Sequence, residues 1–204
     1  MLFDDTYKTI AEPAEGIFRD RGSRFIGFAF PVKNTEEISA HLEVLRKDHH
    51  GARHHCYAYR LGADHSAYRV NDDGEPSGTA GKPIFGQIQS TGVTDVLIVV
   101  VRYFGGALLG VGGLINAYRT VASEALANAK IIEKHITEIY KLEFPYDAMN
   151  SVMKILKDNE LYQWNQDFQL YCKLEFAVRK SITDTVNGQL SKVDGLKITW
   201  LRTE

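Results

Sequence analysis

The sequence predicts an α+β protein built from two parts, and three observations support this. The chain has 204 residues, a length that allows one large domain or two small ones. Glycine is unevenly spread, because 10 of the 17 glycines fall between Gly74 and Gly113 and only Gly188 and Gly195 follow. Beyond the glycine-rich region, strand and helix patterns alternate in the order β-α-β-β-α-β. We therefore expect one domain over residues 1–134 and a second over 135–204, joined near Lys130–His135.

Alternating and continuous apolar patterns predict the elements of the first part. Strands are expected near residues 6–12, 15–20, 24–32, 54–61, 66–70 and 94–101, the last of them buried on both faces. Helices are expected over 35–47 with Asn34 as cap, from Pro83 to Gly92, and from near Leu114 onward. In the second part, strands are expected over 136–144, 160–167, 169–178 and 196–202, and helices over 147–158 and 182–193. That order predicts a ferredoxin-like domain.

The composition excludes several classes of protein. The formal net charge of -2 excludes a strongly basic nucleic-acid coat, so any phosphate binding has to come from a local patch. The longest unbroken apolar run, Val96 to Val101, is far shorter than the roughly 20 residues of a membrane span. The acidic N-terminus does not resemble a secretory signal, and Cys56 and Cys172 form no disulfide framework. We expect a cytoplasmic protein with no membrane partner.

Two glycine-rich loops each precede a helix, whose N-terminus offers free N–H groups and partial positive charge to an anion. Neither loop fits a standard nucleotide motif. Pro76 and Pro83 stand where a P-loop requires glycine and Ser or Thr, and Ile115 stands where a dinucleotide fingerprint requires its third glycine. Two interpretations remain: the loops bind an anion or nucleic acid, or their glycines only make sharp turns and tight packing.

Clusters of potential metal ligands and nucleophiles are also present, but their spacing favours neither a metal site nor a catalytic site. Asp72, Asp73 and Glu75 are more typical of a hydrogen-bonded turn than of a cation site. His54 and Cys56 share one face of a strand, although a buried, inert cysteine is the commoner arrangement. We expect no metal, no cofactor and no catalytic residue.

A basic and aromatic strand surface is a further possibility. Tyrosines among basic residues suit stacking of bases and neutralisation of phosphates, and they also suit an ordinary exposed sheet face. The residues concerned are Arg46, Lys47, Arg53, Arg60 and Arg69, with Tyr57, Tyr59 and Tyr68 between them.

Four segments resemble the YigZ/IMPACT family. The most specific reads Val-Val-Val-Arg-Tyr-Phe-Gly-Gly over residues 99–106 and continues with glycines at 110, 112 and 113. The others are residues 72–83, residues 52–60 and, more weakly, residues 23–26. The likeness extends over nearly the whole chain.

The resemblance implies more than the patterns do. It implies an N-terminal two-layer α/β domain like a ribosomal protein's second domain, and a C-terminal domain like the last domain of the translocation elongation factor. Eukaryotic relatives regulate translation by competing for an activator of a starvation-sensing kinase; this chain has the bacterial two-domain form. We therefore expect a regulator of translation that associates with RNA or the ribosome and is not an enzyme. The alternatives are an enzyme or regulator that binds a small phosphorylated ligand at the glycine-rich loops, and a protein–protein interaction module.

The candidate ligand-binding residues lie on these segments. They are His54, Asp73, Glu75, Gly78, Thr79, Gly81, Lys82, Arg102, Tyr103, Gly105, Gly106, Gly112 and Gly113. Arg102 is the central candidate for two reasons. It lies at the end of a buried strand, where ligands of α/β sheets commonly bind, and the geometry of its planar guanidinium matches a phosphate group. The opposing hypothesis is that Arg102 pairs with an acid of the 72–75 turn and only locks two loops together.

Overall fold

The computed structural model describes residues 5–204 and divides the chain into two units. The first unit covers Tyr7–Lys134, and the second covers His135–Glu204 together with the described residues that precede Tyr7. The expected α+β class with two units is confirmed.

The first unit is built around a five-stranded antiparallel sheet in the order β2-β3-β6-β4-β5. The strands are β1 Thr6–Ile10, β2 Ala14–Asp20, β3 Ser23–Pro31, β4 His54–Leu61, β5 Ala67–Asn71, β6 Val96–Tyr103 and β7 Ile131–His135. The helices are α1 Thr35–Asp48, α2 Gly81–Thr91 and α3 Gly110–Asn128. β1 and β7 pair in a separate two-stranded sheet. The central strand, β6, is apolar and fully buried from Val96 to Val101, as predicted.

Helices cover both faces of this sheet. Side chains of α2 and α3 pack with Phe25, Cys56 and Val100 on one face. Ile38 and Leu45 of α1 pack on the other face. The first unit therefore has a third layer, which the expected two-layer arrangement lacks, because the apolar β6 presents alternate side chains to two cores.

α3 lies unusually close to the edge of the sheet. A Cβ atom at Gly16 of β2 would lie 2.6 Å from the backbone nitrogen of Ala125 and 2.8 Å from the carbonyl oxygen of Val121. Only glycine permits this approach without displacing the helix.

Several elements differ from the sequence-based expectations: β1 ends at Ile10, β9 begins at Gln163 and α5 ends at Leu190. Three further differences concern the glycine-rich loops and the junction. α2 begins at Gly81, two residues before Pro83, which places the proline within the first helical turn. α3 begins at Gly110 rather than near Leu114, so the last glycines of the second loop are helical. The expected junction after Lys130 contains strand β7, whose pairing with β1 no local pattern indicated.

The second unit confirms the β-α-β-β-α-β order. Its elements are β8 Thr137–Pro145, α4 Met149–Asp158, β9 Gln163–Phe168, β10 Tyr171–Arg179, α5 Thr183–Leu190 and β11 Lys197–Thr203. The sheet order is β11-β8-β10-β9. Its core joins alternate residues of the central strands, such as Leu142 and Phe176, to Leu156 of α4 and Val186 of α5.

Asp5 belongs to this second unit, whereas the sequence assigned it to the first domain. Its carboxylate accepts two hydrogen bonds from Arg179, at 2.6 and 2.8 Å, and one from the Ser181 N–H at 3.2 Å. These bonds, those of Arg179 first, hold the pKa of Asp5 well below its ordinary range.

We predict that a fragment of residues 135–204 folds on its own. Its core joins its sheet to both of its helices, although a chain of about 70 residues is near the lower limit for a single core. Thermal and urea unfolding followed by circular dichroism measure this. A fragment without a cooperative transition, under conditions in which the full chain has one, would show that residues 135–204 need other parts of the chain in order to fold.

We predict that Asp5→Asn lowers the melting temperature at neutral pH and not in acid. The folded-state pKa lies below the unfolded value of about 3.9, so the carboxylate stabilises the fold above that pH and its contribution is lost as the pH falls. Melting curves of wild type and variant should therefore draw together as the pH falls below about 3.9 and meet only when it has fallen through the folded-state pKa. Asp194→Asn, an exposed position in the same unit, is the control. A difference that is equal at both pH values would contradict the role of the charge.

Candidate functional site

Arg102 lies at the end of β6 with its side chain buried. The residue is 5% exposed, and in the sheet it stands opposite Phe25 of β3 and His54 of β4. Its guanidinium carbon lies 5.3 Å from the ring centre of Phe25 and 5.6 Å from that of Phe104, within the range of cation–π attraction. Two aromatic rings therefore flank this charge.

The negative partner of Arg102 is Glu75. Arg102 Nη1 donates to Glu75 Oε1 at 2.5 Å, and the Tyr118 hydroxyl donates to the same oxygen at 2.8 Å. His54 Nε2 lies 3.9 Å from that oxygen. The internal ion pair with an acid of the 72–75 turn is therefore present.

Cys56 is linked to Glu75 through the Tyr118 hydroxyl. Its thiol donates to the Tyr118 hydroxyl at 3.3 Å and lies 3.0 Å from the carbonyl oxygen of Asp72. Burial raises the pKa of the Cys56 thiol far above its ordinary range, so the thiol is protonated at neutral pH. A protonated thiol is a poor nucleophile.

Asp73 holds the histidines at the start of β4. The carbonyl oxygen of Asp73 accepts from His54 Nδ1 at 2.8 Å, and its carboxylate accepts from the His55 N–H at 2.7 Å. Asp73 therefore holds the Nδ1 side of the His54 ring, while Nε2 on the other side of the ring lies near Glu75.

The first glycine-rich loop holds an anion of its own. Asp72 accepts hydrogen bonds from the backbone N–H groups of Gly78, Ala80 and Gly81, at 2.8 to 3.0 Å. Although burial opposes it, these bonds keep the pKa of Asp72 below its ordinary value. The N-terminus of α2 is thus occupied by a carboxylate of the chain.

Three of the predicted site residues in this loop form hydrogen bonds within the loop itself. Gly78 and Gly81 donate to Asp72, and the Thr79 hydroxyl donates to the Pro76 carbonyl at 2.6 Å. Lys82 is exposed in the first turn of α2.

The predicted site residues that follow Arg102 contact different parts of the protein. The Tyr103 hydroxyl is 2.8 Å from His49 Nδ1, on the face of the sheet that α1 covers. Gly105 packs against the turn between β2 and β3, because a Cβ there would lie 1.9 Å from the carbonyl carbon of Gly22. Backbone contact, rather than a ligand, requires that glycine. Gly106 has a φ of +88° and open space where a side chain would begin.

An open cleft of about 420 Å³ lies beside the ion pair. Its walls are Arg53 and His54 at the start of β4, the 74–76 turn, and residues 108–111 with Phe104. Arg102 lines it as well. We name this the Arg102 cleft.

The structure brings together only some of the predicted site residues. His54, Glu75 and Arg102 line the Arg102 cleft, and Gly112 and Gly113 lie in the first turns of the helix that borders it. Sequence reasoning missed Phe104, Leu108 and Val111, which also line it. The signal available was large apolar residues inside a glycine-rich loop, where no core position was expected.

The predicted basic and aromatic strand surface is wrong in part. Arg60 is buried and donates to the carbonyl oxygens of Ile88 and Val93 near the end of α2, and Tyr57 is buried under α1. Strand alternation sends these neighbours to opposite cores, so they form no common surface.

A different group of basic side chains gathers at one end of the sheet. The turn between β2 and β3, and the segment from the end of α1 to β4, contain six exposed basic residues and two acids, Asp20 and Asp48. We name this group the basic end: Arg19, Arg21, Arg24, Arg46, Lys47 and Arg53. Arg19 lies opposite Arg24 in the sheet, and Arg24 lies opposite Tyr103, so these three side chains share one face.

Within residues 5–204, no group of three or more His, Cys, Asp or Glu side chains is arranged to hold a metal ion. None of the helices in that range combines the length and the apolar character needed to cross a membrane.

Comparison with known proteins gives consistent matches. Residues 21–126 match the family model of the Impact N-terminal domain. The chain is 32% identical to "IMPACT family member YvyE" of Bacillus subtilis over 96% of this chain and 94% of that protein. It is 35% identical to "IMPACT family member YigZ" of Escherichia coli over 82% of this chain and 83% of that one. A crystal structure described as a hypothetical protein aligns with 97% of this chain and 98% of its own, at 31% identity and a TM-score of 0.76.

We predict that Arg102→Ala and Glu75→Gln each destabilise the protein by about 3–5 kcal/mol, because each leaves one buried polar partner uncompensated. The double variant Arg102→Ala/Glu75→Gln should lose less than the sum of the two. Urea unfolding measures all three. Arg53→Ala, on the exposed rim, is the control and should change stability by no more than about 0.5 kcal/mol. Additive losses would show that the two residues do not act as a pair.

Proposed function

Because this chain belongs to the IMPACT family, we propose that it regulates translation by binding RNA through the basic end of its first unit. The observation that carries this proposal is the group of six exposed basic side chains in a protein whose net charge is -2. Arg46 and Lys47 pair with Asp73 and Glu43, so the positive excess comes mainly from the arginines of β2, β3 and the turn between them. Phosphate contacts need a local patch of this kind when the whole molecule carries no positive excess. Translation is the process that the family resemblance indicates.

The arrangement of the basic end suits a single strand of RNA. Arg19, Arg24 and Tyr103 lie in one row across β2, β3 and β6, and neighbouring strands are about 4.8 Å apart. The Tyr103 hydroxyl is held by His49, which fixes the position of the ring. Arginines that neutralise phosphates beside an aromatic ring that stacks on a base are the usual elements of a single-strand binding surface.

The proposed role is binding and not catalysis. The thiol nearest to a histidine, Cys56, is buried and protonated, and Tyr118 is bonded to Glu75. A binding surface that competes for RNA or for the ribosome accounts for regulation without a reaction.

We predict that Arg19→Glu/Arg24→Glu weakens RNA binding and changes its salt dependence. For a single-stranded oligoribonucleotide of about 12 nucleotides with a 5′-hydroxyl end, the slope of log K against log salt should become shallower by about 0.7 for each phosphate that the variant no longer neutralises. Fluorescence anisotropy at several salt concentrations measures both quantities. Both side chains are exposed, so the fold should be retained.

The matched control is Arg69→Glu, an exposed arginine on β5 opposite Tyr59, five residues along β4 from His54. It should leave affinity and slope nearly unchanged. Equal effects of the control and the double variant would reject the basic end as the site. Capture of ribosomal partners that persists after nuclease treatment, in the double variant as well, would favour the protein-interaction alternative.

A further inference from the structure

We propose that the Arg102 cleft binds a phosphomonoester carried on a nucleoside, either a free nucleoside 5′-monophosphate or the 5′-phosphorylated end of an RNA. This proposal goes beyond RNA binding at the basic end. Arg53 belongs to both sites, but the other residues that line the cleft are not part of the basic end, and Arg102 and Tyr103 lie on opposite faces of the sheet.

The first support is the N-terminus of α3. Gly110 and Val111 line the cleft in the first turn of this helix, and no side chain among the described residues caps it. The N-terminus of α2, in contrast, is occupied by Asp72. Free N–H groups and the partial positive charge of a helix end bind an anion.

The second, independent support is Arg102 itself. Its side chain is more than nine-tenths buried and lines the cleft, and its Nε has no hydrogen-bond partner among the described residues. An unsatisfied buried donor is costly and uncommon in folded proteins. Because this nitrogen has almost no solvent exposure, the side chains around it have to move before a ligand oxygen in the cleft reaches it, and the proposal assigns the missing acceptor to that oxygen.

The third support is the apolar rim of the cleft. Leu108 is 83% exposed, Val111 is 59% exposed and Phe104 is 42% exposed, although all three are large apolar side chains. A cluster of this kind around a concave site marks an interaction surface. The ligand therefore combines an anionic group with a flat or apolar body that packs on Phe104 and Leu108.

The balance of charge and donors favours phosphate over carboxylate. Arg102 is neutralised by Glu75, so the net positive character of the cleft comes from Arg53 and from the N-terminus of α3. The donors are Arg102 Nε, the guanidinium of Arg53 and the first N–H groups of α3, more than the two oxygens of a carboxylate use. A phosphomonoester offers three terminal oxygens. The volume of about 420 Å³ lies within the range of small-molecule sites.

The test uses the full-length protein and three probes: adenosine 5′-monophosphate, adenosine and inorganic phosphate. Isothermal titration calorimetry should show saturable binding of the monophosphate, and weaker binding of the nucleoside and of phosphate alone. Saturable binding of none of the probes or oligonucleotides, or equal binding of adenosine and its monophosphate, would overturn the proposal.

The decisive variant is Val111→Glu. A carboxylate in the first turn of a helix is favourable for the helix, so the fold should be retained, yet it should compete with the ligand and weaken binding about tenfold or more. Asn116→Glu adds the same charge to an exposed position of α3 that does not line the cleft, and should leave binding unchanged. Equal losses in the two variants would reject the assignment to this cleft.

Two oligoribonucleotides that differ only in a 5′-phosphate or a 5′-hydroxyl distinguish the two possible ligands, a free nucleoside monophosphate and a phosphorylated RNA end. Preference for the phosphorylated oligonucleotide, abolished by Val111→Glu, assigns the RNA end, whereas binding of the free monophosphate without such a preference assigns the nucleotide. The result is separable from that of the basic end, because Arg19→Glu/Arg24→Glu should weaken the 5′-hydroxyl oligonucleotide and leave the monophosphate unaffected.

Discussion

The buried ion pair between Arg102 and Glu75 is the constraint around which the first unit is organised. Arg102 ends a strand that is apolar over its preceding six residues, so its charge enters the protein interior and has to be matched there. Glu75 supplies the match from a turn, and Tyr118 of α3 donates to the same carboxylate oxygen. One carboxylate thereby joins the end of β6, the turn that contains Glu75 and the middle of α3, and the cleft opens beside the first two of these and the start of α3.

The two glycine-rich loops, alike in sequence, have different roles because of their acidic residues. Asp72 lies close enough in the chain to turn back onto the amides of residues 78–81, so the first loop carries its own anion. The second loop contains no acidic residue between Arg102 and Glu124. Its helix therefore begins without a capping side chain and borders an open cleft. In these two loops the difference lies in the position of the nearest carboxylate and not in the glycine content.

Local patterns predicted most elements of the fold, and failed where distant segments meet. The period-two alternation of residues 169–178 and the Asn34 cap are properties of neighbouring residues, and both were predicted. Strand β7 depends on pairing with β1, more than a hundred residues away in the chain, so no local signal marks it. The site shows the same limit. The strand end identified Arg102, while the burial of Arg60 depends on the face that it takes in the assembled sheet, and the exposure of Leu108 depends on the path of the loop between β6 and α3.

Strand alternation also explains how the end of β6 contributes one residue to the Arg102 cleft and the next to the opposite face of the sheet. Arg102 and Tyr103 are consecutive, so their side chains leave β6 on opposite faces of the sheet. Arg102 stands opposite Phe25 and His54 on the face covered by α2 and α3, and Tyr103 stands opposite Arg24 on the face covered by α1. Moving the register by a single residue would place the arginine among the exposed basic residues and the tyrosine over Glu75. The pairing of β3, β4 and β6 therefore places Arg102, with its unsatisfied donor, and Tyr103, beside Arg24, on opposite faces of the sheet. Arg53, just before β4, is the residue that the cleft and the basic end share.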